Sequence, residues 1–212
     1  MRVLIATPTM GVVDTRFMMS VLGLEKSCQC NFGIEDGSLV YMARNRIAAK
    51  AIDQGYDYIL WIDSDREFPP DTMNRLVEDA QQGMDFVSAL CFKRSFPTSP
   101  IICKELKYTE LDGGGFVSEP VIYSDYPKDS VFEIAAAGFG CCIIKTDVIK
   151  EIAEHFKCSP FEPIPSMGED FAFCKRMTDM GKKMYCDSRI KVGHIGRLVF
   201  NENVYNGQVV EE

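Results

Sequence analysis

No apolar run in this sequence approaches the ~18 residues needed to cross a bilayer. The N-terminal stretch MRVLIATPTMG has one Arg and a short apolar run, Val3–Ala6, too short for a secretory signal and readable as a first buried strand. A cytoplasmic location is therefore expected. Positive charge is scarce as well. With 23 Lys and Arg against 31 Asp and Glu, the net charge is −8, which argues against a non-specific binder of nucleic acid. Acidity does not exclude a nucleotide ligand, because a divalent cation can bridge carboxylates to phosphates. Only 2 His are present, and no CxxC pair occurs among the 9 Cys, so a Cys-rich zinc site is excluded. Most of these cysteines lie inside apolar segments and read as small buried hydrophobes in a reducing compartment. Internal repeats and low-complexity stretches are absent too.

What is present suits one substantial domain. The 212 residues are 46% hydrophobic, enough to build a large core. The first half alternates strands and helices. Arg2 to Ala6 reads as a strand ending at Thr7-Pro8-Thr9, followed by a helix over Thr15 to Lys26 and a strand over Cys28 to Gly33. Ala43, Ile47, Ala48, Ala51 and Ile52 recur at helical spacing and predict a helix over Leu39 to Gln54, ended by Gly55. Tyr58 to Ile62 is a nearly continuous apolar run, the pattern of a strand covered on both faces. A helix from near Pro70 and a strand over Phe86 to Leu90 complete a βαβαβαβ order, which implies parallel strands with helices on both faces. Phe96 to Lys128 is rich in turn residues and predicts a hairpin-like insertion at about 96–130. After the apolar stretch Phe132 to Ile144, helices are expected over Thr146 to Phe156 and Gly168 to Met180. Two short strands are expected near Met184–Cys186 and Ile190–Val192, then a polar tail from Asn201 to Glu212.

Three pieces could carry chemistry. YILWIDSD delivers Asp63 and Asp65 just past the C-terminal end of a buried strand, where ligands bind in open α/β sheets. Carboxylates suit Mg²⁺ or Mn²⁺, with phosphate oxygens filling other positions. The alternative is that both acids only shape a turn and cap the helix near Pro70. Gly168-Glu169-Asp170 opens a helix. Two acids in a first turn can serve the helix dipole, or one can be a rigidly held base for a hydroxyl. His194 lies between Gly193 and Gly196, either as a structural histidine or as a ligand approached closely by backbone. Arg44 and Arg46 sit early in their helix, against the dipole, so each is solvated or faces a ligand. Lys93-Arg94 follows a strand end and could meet phosphate.

Together these pieces resemble GT-A fold glycosyltransferases, similar to glycosyltransferase family 2 of bacterial and phage type. The resemblance runs from Arg2 to Gly196 and rests on LIATPTMG, ARNRIAAKAIDQGYDYILWIDSDREFPPDTMNRL, AAGFGCCIIKTDVI and GEDFAFCKRMTDMGKKMYCDSRIKVGHIG, in that order. It implies a Rossmann-like, mostly parallel central sheet with helices on both faces. It implies that Pro8 and Thr9 line a nucleotide pocket and that Arg44 lies near the base or the DxD loop. Asp63 would contact the ribose or the metal, with Ser64 beside it. Asp65 would bind a divalent cation, Mn²⁺ or Mg²⁺, through the diphosphate, with His194 as a further ligand. Gly138 would back the donor sugar or acceptor, and Asp170 would be the base of an inverting enzyme.

The implied partners are a UDP- or GDP-sugar donor and a hydroxyl acceptor, with a homo-oligomer open. No QxxRW motif occurs, the only Trp being Trp61, so a single sugar transfer is implied rather than processive synthesis. Two rivals fit less well. A sugar-phosphate nucleotidyltransferase would show a Gly-rich loop where TPTMGVVDTR has a single Gly. A DxD phosphatase would place its acids after the first strand. A non-catalytic nucleotide-sugar-binding module of the same fold is the remaining alternative.

Overall fold

The computed structural model describes residues 1–37, 39–196, 199 and 201–207. The first half runs β1 (Arg2–Thr9), α1 (Thr15–Leu22), β2 (Gln29–Asp36), α2 (Val40–Asp53), β3 (Tyr58–Ile62), β4 (Arg66–Glu67), α3 (Thr72–Gln81) and β5 (Phe86–Cys91). A hairpin follows, β6 (Ile102–Glu110) and β7 (Phe116–Ile122). Then come β8 (Val131–Ile134), β9 (Ala136–Ala137), β10 (Cys141–Lys145), α4 (Thr146–Phe156), α5 (Glu169–Asp179), β11 (Met184–His194) and α6 (Glu202–Tyr205).

The central sheet has the order β2-β1-β3-β10-β5-β11-β4, with β8 pairing β11. β1 is parallel to β2 and β3, and β5 is parallel to β11. The sheet is mostly parallel along its β2-β1-β3 and β5-β11 parts, as expected, and antiparallel where β10 joins them and where β4 and β8 pair with β11. β10 is inserted between β3 and β5 and runs antiparallel to both, so these two parallel strands are not neighbours. Every residue of β10 except Lys145 is buried, because both edges and both faces are covered. A strand apolar throughout gives no sign of its direction, which explains why spacing could not reveal the reversal.

Residues alternate across the sheet into two cores. Ile59 and Trp61 of β3 join α2, α4 and α5 on one face through Ala48, Ile149 and Phe173. Leu60 and Ile62 join α1 and α3 on the other through Phe17 and Leu76. The period of two in β3 thus feeds both layers of an α/β/α stack.

Several expected boundaries move. The second strand runs to Asp36, three residues past Gly33, and the first runs through Pro8 to Thr9. The two short strands expected near Met184 and Ile190 are one strand, β11, whose pairing with β5 slips between Asp187 and Lys191. Asn201 caps α6 by accepting from Val204 N–H, and Tyr205 of that turn packs its ring 5.5 Å from Phe92. The segment expected as a tail is therefore docked up to residue 207, and residues 208–212 lie outside the described ones. Residues 102–122 form the hairpin, which joins β9 in a separate three-stranded sheet. Among the described residues no helix is long and apolar enough to cross a membrane.

All nine cysteines are free thiols, and Cys91, Cys103, Cys141, Cys142, Cys174 and Cys186 are buried, as their apolar setting predicts. Burial pushes the Cys91 and Cys103 thiols up to about 11. Because the thiolate is the reactive form, native protein treated with an excess of a thiol reagent at pH 8 should label Cys28, Cys30 and Cys158 and spare the six buried thiols. Rapid labelling of more than three sites, counted by intact mass, would contradict this packing.

Candidate functional site

The ends of β1 and β3 lie side by side, since Ala6 registers with Trp61 in a parallel ladder. Pro8-Thr9 and Asp63-Ser64-Asp65 consequently emerge at the same sheet edge. Backbone bonds fix the acidic loop from both sides. Asp63 N–H donates to Gly140 O (3.0 Å), Asp14 N–H donates to Ser64 O (3.3 Å) and Ile195 N–H donates to Asp65 O (2.8 Å). The loop does not cap α3, whose N-cap Asp71 makes no side-chain capping bond. The acids do shape a turn, closed by Arg66 N–H donating to Asp63 O at 3.2 Å, but they do not cap α3.

Arg44 is not solvated. It is 2% exposed, and its Nη2 donates to Asp63 Oδ1 at 2.9 Å while its Nε donates to Glu169 Oε1 at 3.3 Å. Its guanidinium lies 5.4 Å from the centroids of both Trp61 and Phe139. Burial alone would lower its pKa, but attraction to Asp63 and Glu169 outweighs that and raises it. Nη1 is buried without a hydrogen-bond partner. Arg46, by contrast, pairs with Glu35 at 2.6 Å on the surface.

A second buried cation, Arg66, lies beneath the acidic loop, 3.6 Å from Asp65 Oδ1 and 3.9 Å from Asp63 Oδ2. It occupies the space a side chain at Gly140 would need, since a Cβ there would come within 2.6 Å of the guanidinium. Arg94, the basic residue suspected of meeting phosphate, reaches Asp65 Oδ2 at 3.5 Å and donates to Ile195 O.

Asp65 Oδ2 and His194 Nε2 are 3.0 Å apart, and His194 Nδ1 lies 3.0 Å from Phe92 O. A carbonyl can only accept, so Nδ1 carries the proton of that contact. In the neutral ring this leaves the Nε2 lone pair facing a carboxylate oxygen, and two acceptors at that distance need a proton or a cation between them. Burial tends to raise the Asp65 pKa, but the His194 hydrogen bond and the nearby Arg66 charge outweigh it and hold it below the usual value. Gly193 is small for a protein contact: a Cβ there would meet Val199 Cγ1 at 2.7 Å.

Glu169 and Asp170 open α5, with Gly168 at the cap. Asp170 Oδ1 accepts from Phe171 N–H at 2.7 Å, so it does satisfy a helix-terminal donor. Its carboxyl also borders the cavity. A Cβ built on Gly138 would sit 3.5 Å from Asp170 Oδ2 and 2.7 Å from Ile101 Cγ2. Burial first, and the neighbouring Glu169 charge second, push the Asp170 carboxyl up to about 6.

These groups converge on a cavity of about 450 Å³, within the range of small-ligand sites. Pro8, Thr9, Arg44, Asp63, Ser64, Asp65, Gly138 and Asp170 all line it, and His194 joins from behind Asp65. Residues not anticipated as lining are Met10, Gly37, Val40, Arg66, Ile101 and Glu169. Arg66 directly follows DSD and Glu169 directly precedes Asp170, but nothing in their spacing marks Arg66 as buried or Glu169 as a partner of Arg44. Among the described residues no group of three or more His, Cys, Asp or Glu side chains could hold a metal by itself. A Mg²⁺ or Mn²⁺ bound together with phosphates needs only one or two protein ligands, and Asp65 and His194, which lie within hydrogen-bond distance of each other, are the side chains here that could supply them.

No protein-family model matches the chain, and no curated protein matches it in sequence. Solved structures do match. The crystal structure of A197 from STIV aligns with a TM-score of 0.67 at 17% identity, covering 96% of this chain and 91% of that one. The crystal structure of GalNAc-T7 with UDP, GalNAc and Mn²⁺ aligns with a TM-score of 0.61 at 12% identity, covering 92% of this chain and 44% of that one. The fold is GT-A-like. At these identities the likeness carries the architecture only.

Two stability outcomes follow from the electrostatics. Arg44→Met should cost about 3 kcal/mol in urea unfolding, because it strands Asp63 and Glu169 around an apolar side chain. A loss below about 1 kcal/mol would show that the guanidinium holds nothing together. The Asp170 carboxyl titrates near 6 in the fold, above its unfolded value near 4. Its contribution is full below pH 4 and is lost as pH rises through 6, so the native protein is penalised at neutral pH. Asp170→Asn removes that penalty and should gain on wild type by on the order of 1–2 kcal/mol between pH 4 and 7. Parallel stability–pH curves would refute the shift.

Proposed function

We propose that this chain is a metal-dependent glycosyltransferase, similar to family 2, that moves one sugar from a UDP- or GDP-sugar to an acceptor hydroxyl with inversion and without processive synthesis. The observation that carries the reading is the convergence of Asp63-Ser64-Asp65 and Asp170, more than a hundred residues apart in sequence, on one cavity at the sheet's C-terminal edge. The GT-A-like architecture supports it, as does the UDP and Mn²⁺ bound by the structurally similar GalNAc-T7.

In this reading Pro8 and Thr9 bound the nucleotide, and Asp63 and Ser64 face the ribose side. Asp65 and His194 would hold Mn²⁺ or Mg²⁺, which when bound neutralises diphosphate charge. Asp63 and Glu169 are fixed by Arg44 and do not need to reorganise when donor enters. Asp170 takes the acceptor hydroxyl proton as the acceptor oxygen bonds to the anomeric carbon and the bond from that carbon to the diphosphate oxygen breaks. The electron pair of that bond leaves with the diphosphate. A carboxyl near 6 is well matched to this task, being ionised at neutral pH yet more basic than an ordinary aspartate. Gly138, without a side chain, lets Ile101 pack close beside Asp170 on the cavity wall that would back the sugar and the incoming hydroxyl.

Calorimetric titration with UDP- and GDP-sugars, with and without Mn²⁺, tests the donor claim. Asp65→Ala should abolish the Mn²⁺-dependent part of binding while its unfolding transition stays cooperative. Unchanged donor turnover in that variant would remove the metal assignment. Asp170→Asn should keep donor binding and lose transfer by roughly 10²–10⁴-fold. In wild type, donor hydrolysis or transfer should rise as pH increases through about 6 and then level off, since the base must be deprotonated. Tight donor binding with neither hydrolysis nor transfer would instead identify a nucleotide-sugar-binding module.

A further inference from the structure

A second charge centre, Asp79 with Asp187 and Arg189, does not line the cavity and takes no part in the chemistry proposed above. It sits where the pairing of β11 with β5 slips between Asp187 and Lys191, leaving Ser188, Arg189 and Ile190 as a bulge. Ser188 ties the bulge to one side, its Oγ donating to Pro127 O at 2.8 Å. Arg189 ties it to α3 on the other. Its Nε donates to Asp187 Oδ1 (2.8 Å), its Nη2 to Asp187 Oδ2 (2.9 Å), and its backbone N–H to Asp187 Oδ1 (2.9 Å). The same Nη2 donates to Asp79 Oδ1 at 3.0 Å.

The charges here do not balance. Asp79 and Asp187 are 1% and 0% exposed, and one guanidinium serves both. The two acids are not placed alike. Both oxygens of Asp187 are taken up by Arg189, in the fork geometry that suits a carboxylate. Asp79 accepts one bond on Oδ1, and its Oδ2 is buried without a partner. Asp79 also lies in the last turn of α3, the end at which the helix dipole disfavours an anion. Such a place suits a carboxylic acid, whose O–H can donate to a neighbouring carboxylate. Among the described residues, the charged groups facing Asp79 are Asp187 and Arg189 of β11. Under α3, β5 and β10 contribute Val87, Ala89, Ile143 and the thiols of Cys91 and Cys141, and Tyr58 of β3 donates to Ala80 O.

We propose that Asp79 and Asp187 share one proton, Asp79 Oδ2–H donating to Asp187, and that this pair is a pH-sensitive latch between the end of α3 and the bulge of β11. With the proton in place, one negative charge meets one guanidinium and every carboxyl oxygen of the pair is engaged. Without it, two buried negative charges share that guanidinium and repel each other. Burial first, and the Asp187 charge second, push the Asp79 carboxyl up to about 6, above its unfolded value of about 4. The latch is therefore at full strength below about pH 4 and is lost as pH rises through about 6. The inference is independent of the catalytic reading.

A carboxyl ¹³C NMR titration of the full chain tests the shared proton. Two aspartate resonances should titrate with midpoints at about 6, one lost in Asp170→Asn and the other in Asp79→Asn. Arg189→Gln should move the Asp79 midpoint upward, because the compensating charge is gone, and leave the Asp170 midpoint in place. Amide hydrogen exchange reads the latch itself. Corrected for intrinsic rates, protection of Ser188 and Arg189 should fall about tenfold between about pH 5 and 7.5, in wild type and in Asp170→Asn alike. In Asp79→Asn, whose amide N–H replaces the acid's O–H, protection should stay level. A titration in which Asp79→Asn removes no resonance with a midpoint near 6 overturns the shared proton. If that variant does not fold, the upward shift in Arg189→Gln decides the same point, and its absence overturns the pair. Protection that does not fall in wild type, or that falls equally in Asp79→Asn, overturns the latch.

Discussion

Arg44 is the contact on which the site depends. One guanidinium, removed from water, joins the end of β3 to the start of α5 through Asp63 and Glu169. Two aromatic rings from β3 and the loop before β10 form its walls. A buried ion pair is weak evidence of net stability, because desolvation offsets most of the attraction. Its stronger effect is geometric. Three elements distant in sequence must adopt one arrangement for the charges to meet, and that arrangement is the one that puts Asp63 and Asp170 on the same cavity. Asn45, the next residue, reinforces it by accepting from Phe161 N–H and holding the loop before α5.

A second cation works in the same way from below. Arg66 stands under Asp63 and Asp65 and prevents two acids at a strand end from repelling each other outright. It fits only because residue 140 is glycine, whose missing Cβ gives the guanidinium its place. The loops on either side of the cavity are therefore built from charge compensated at close range. A binding surface of uniformly negative sign would be a poor host for a diphosphate, whereas acids already balanced by Arg44, Arg66 and Arg94 are less hostile to one.

Much of this was legible in the chain itself. β3 and α4 fall where apolar spacing puts them, because a five-residue apolar run bounded by polar residues and a strongly one-sided helix each admit few alternatives. The three candidate motifs meet at one place because strand ends and a helix start in an α/β stack face the same rim. What could not be read was direction and depth. β10 is apolar on every side, so nothing marked it as antiparallel. Arg44 looked misplaced against the helix dipole, and that was a real signal, but its explanation lay 125 residues away in Glu169. β11 reads as two strands because Asp187, Ser188 and Arg189 interrupt its apolar pattern. Those residues are the irregularity itself, where Arg189 pairs with Asp187 and with Asp79 of α3.

The antiparallel strand also sets the order in which the molecule can be completed during synthesis. β3 is available for pairing on its β1 side as soon as it forms, but its other side waits for Cys141–Lys145, about 80 residues later. At about 5–20 residues per second, that is several seconds with YILWI exposed along one edge. β5, made in the interval, cannot fill the gap by lying directly beside β3 without displacing the strand that belongs there. Until those residues exist the β2-β1-β3 and β5 parts of the sheet have no strand to join them, because β10 alone pairs with both.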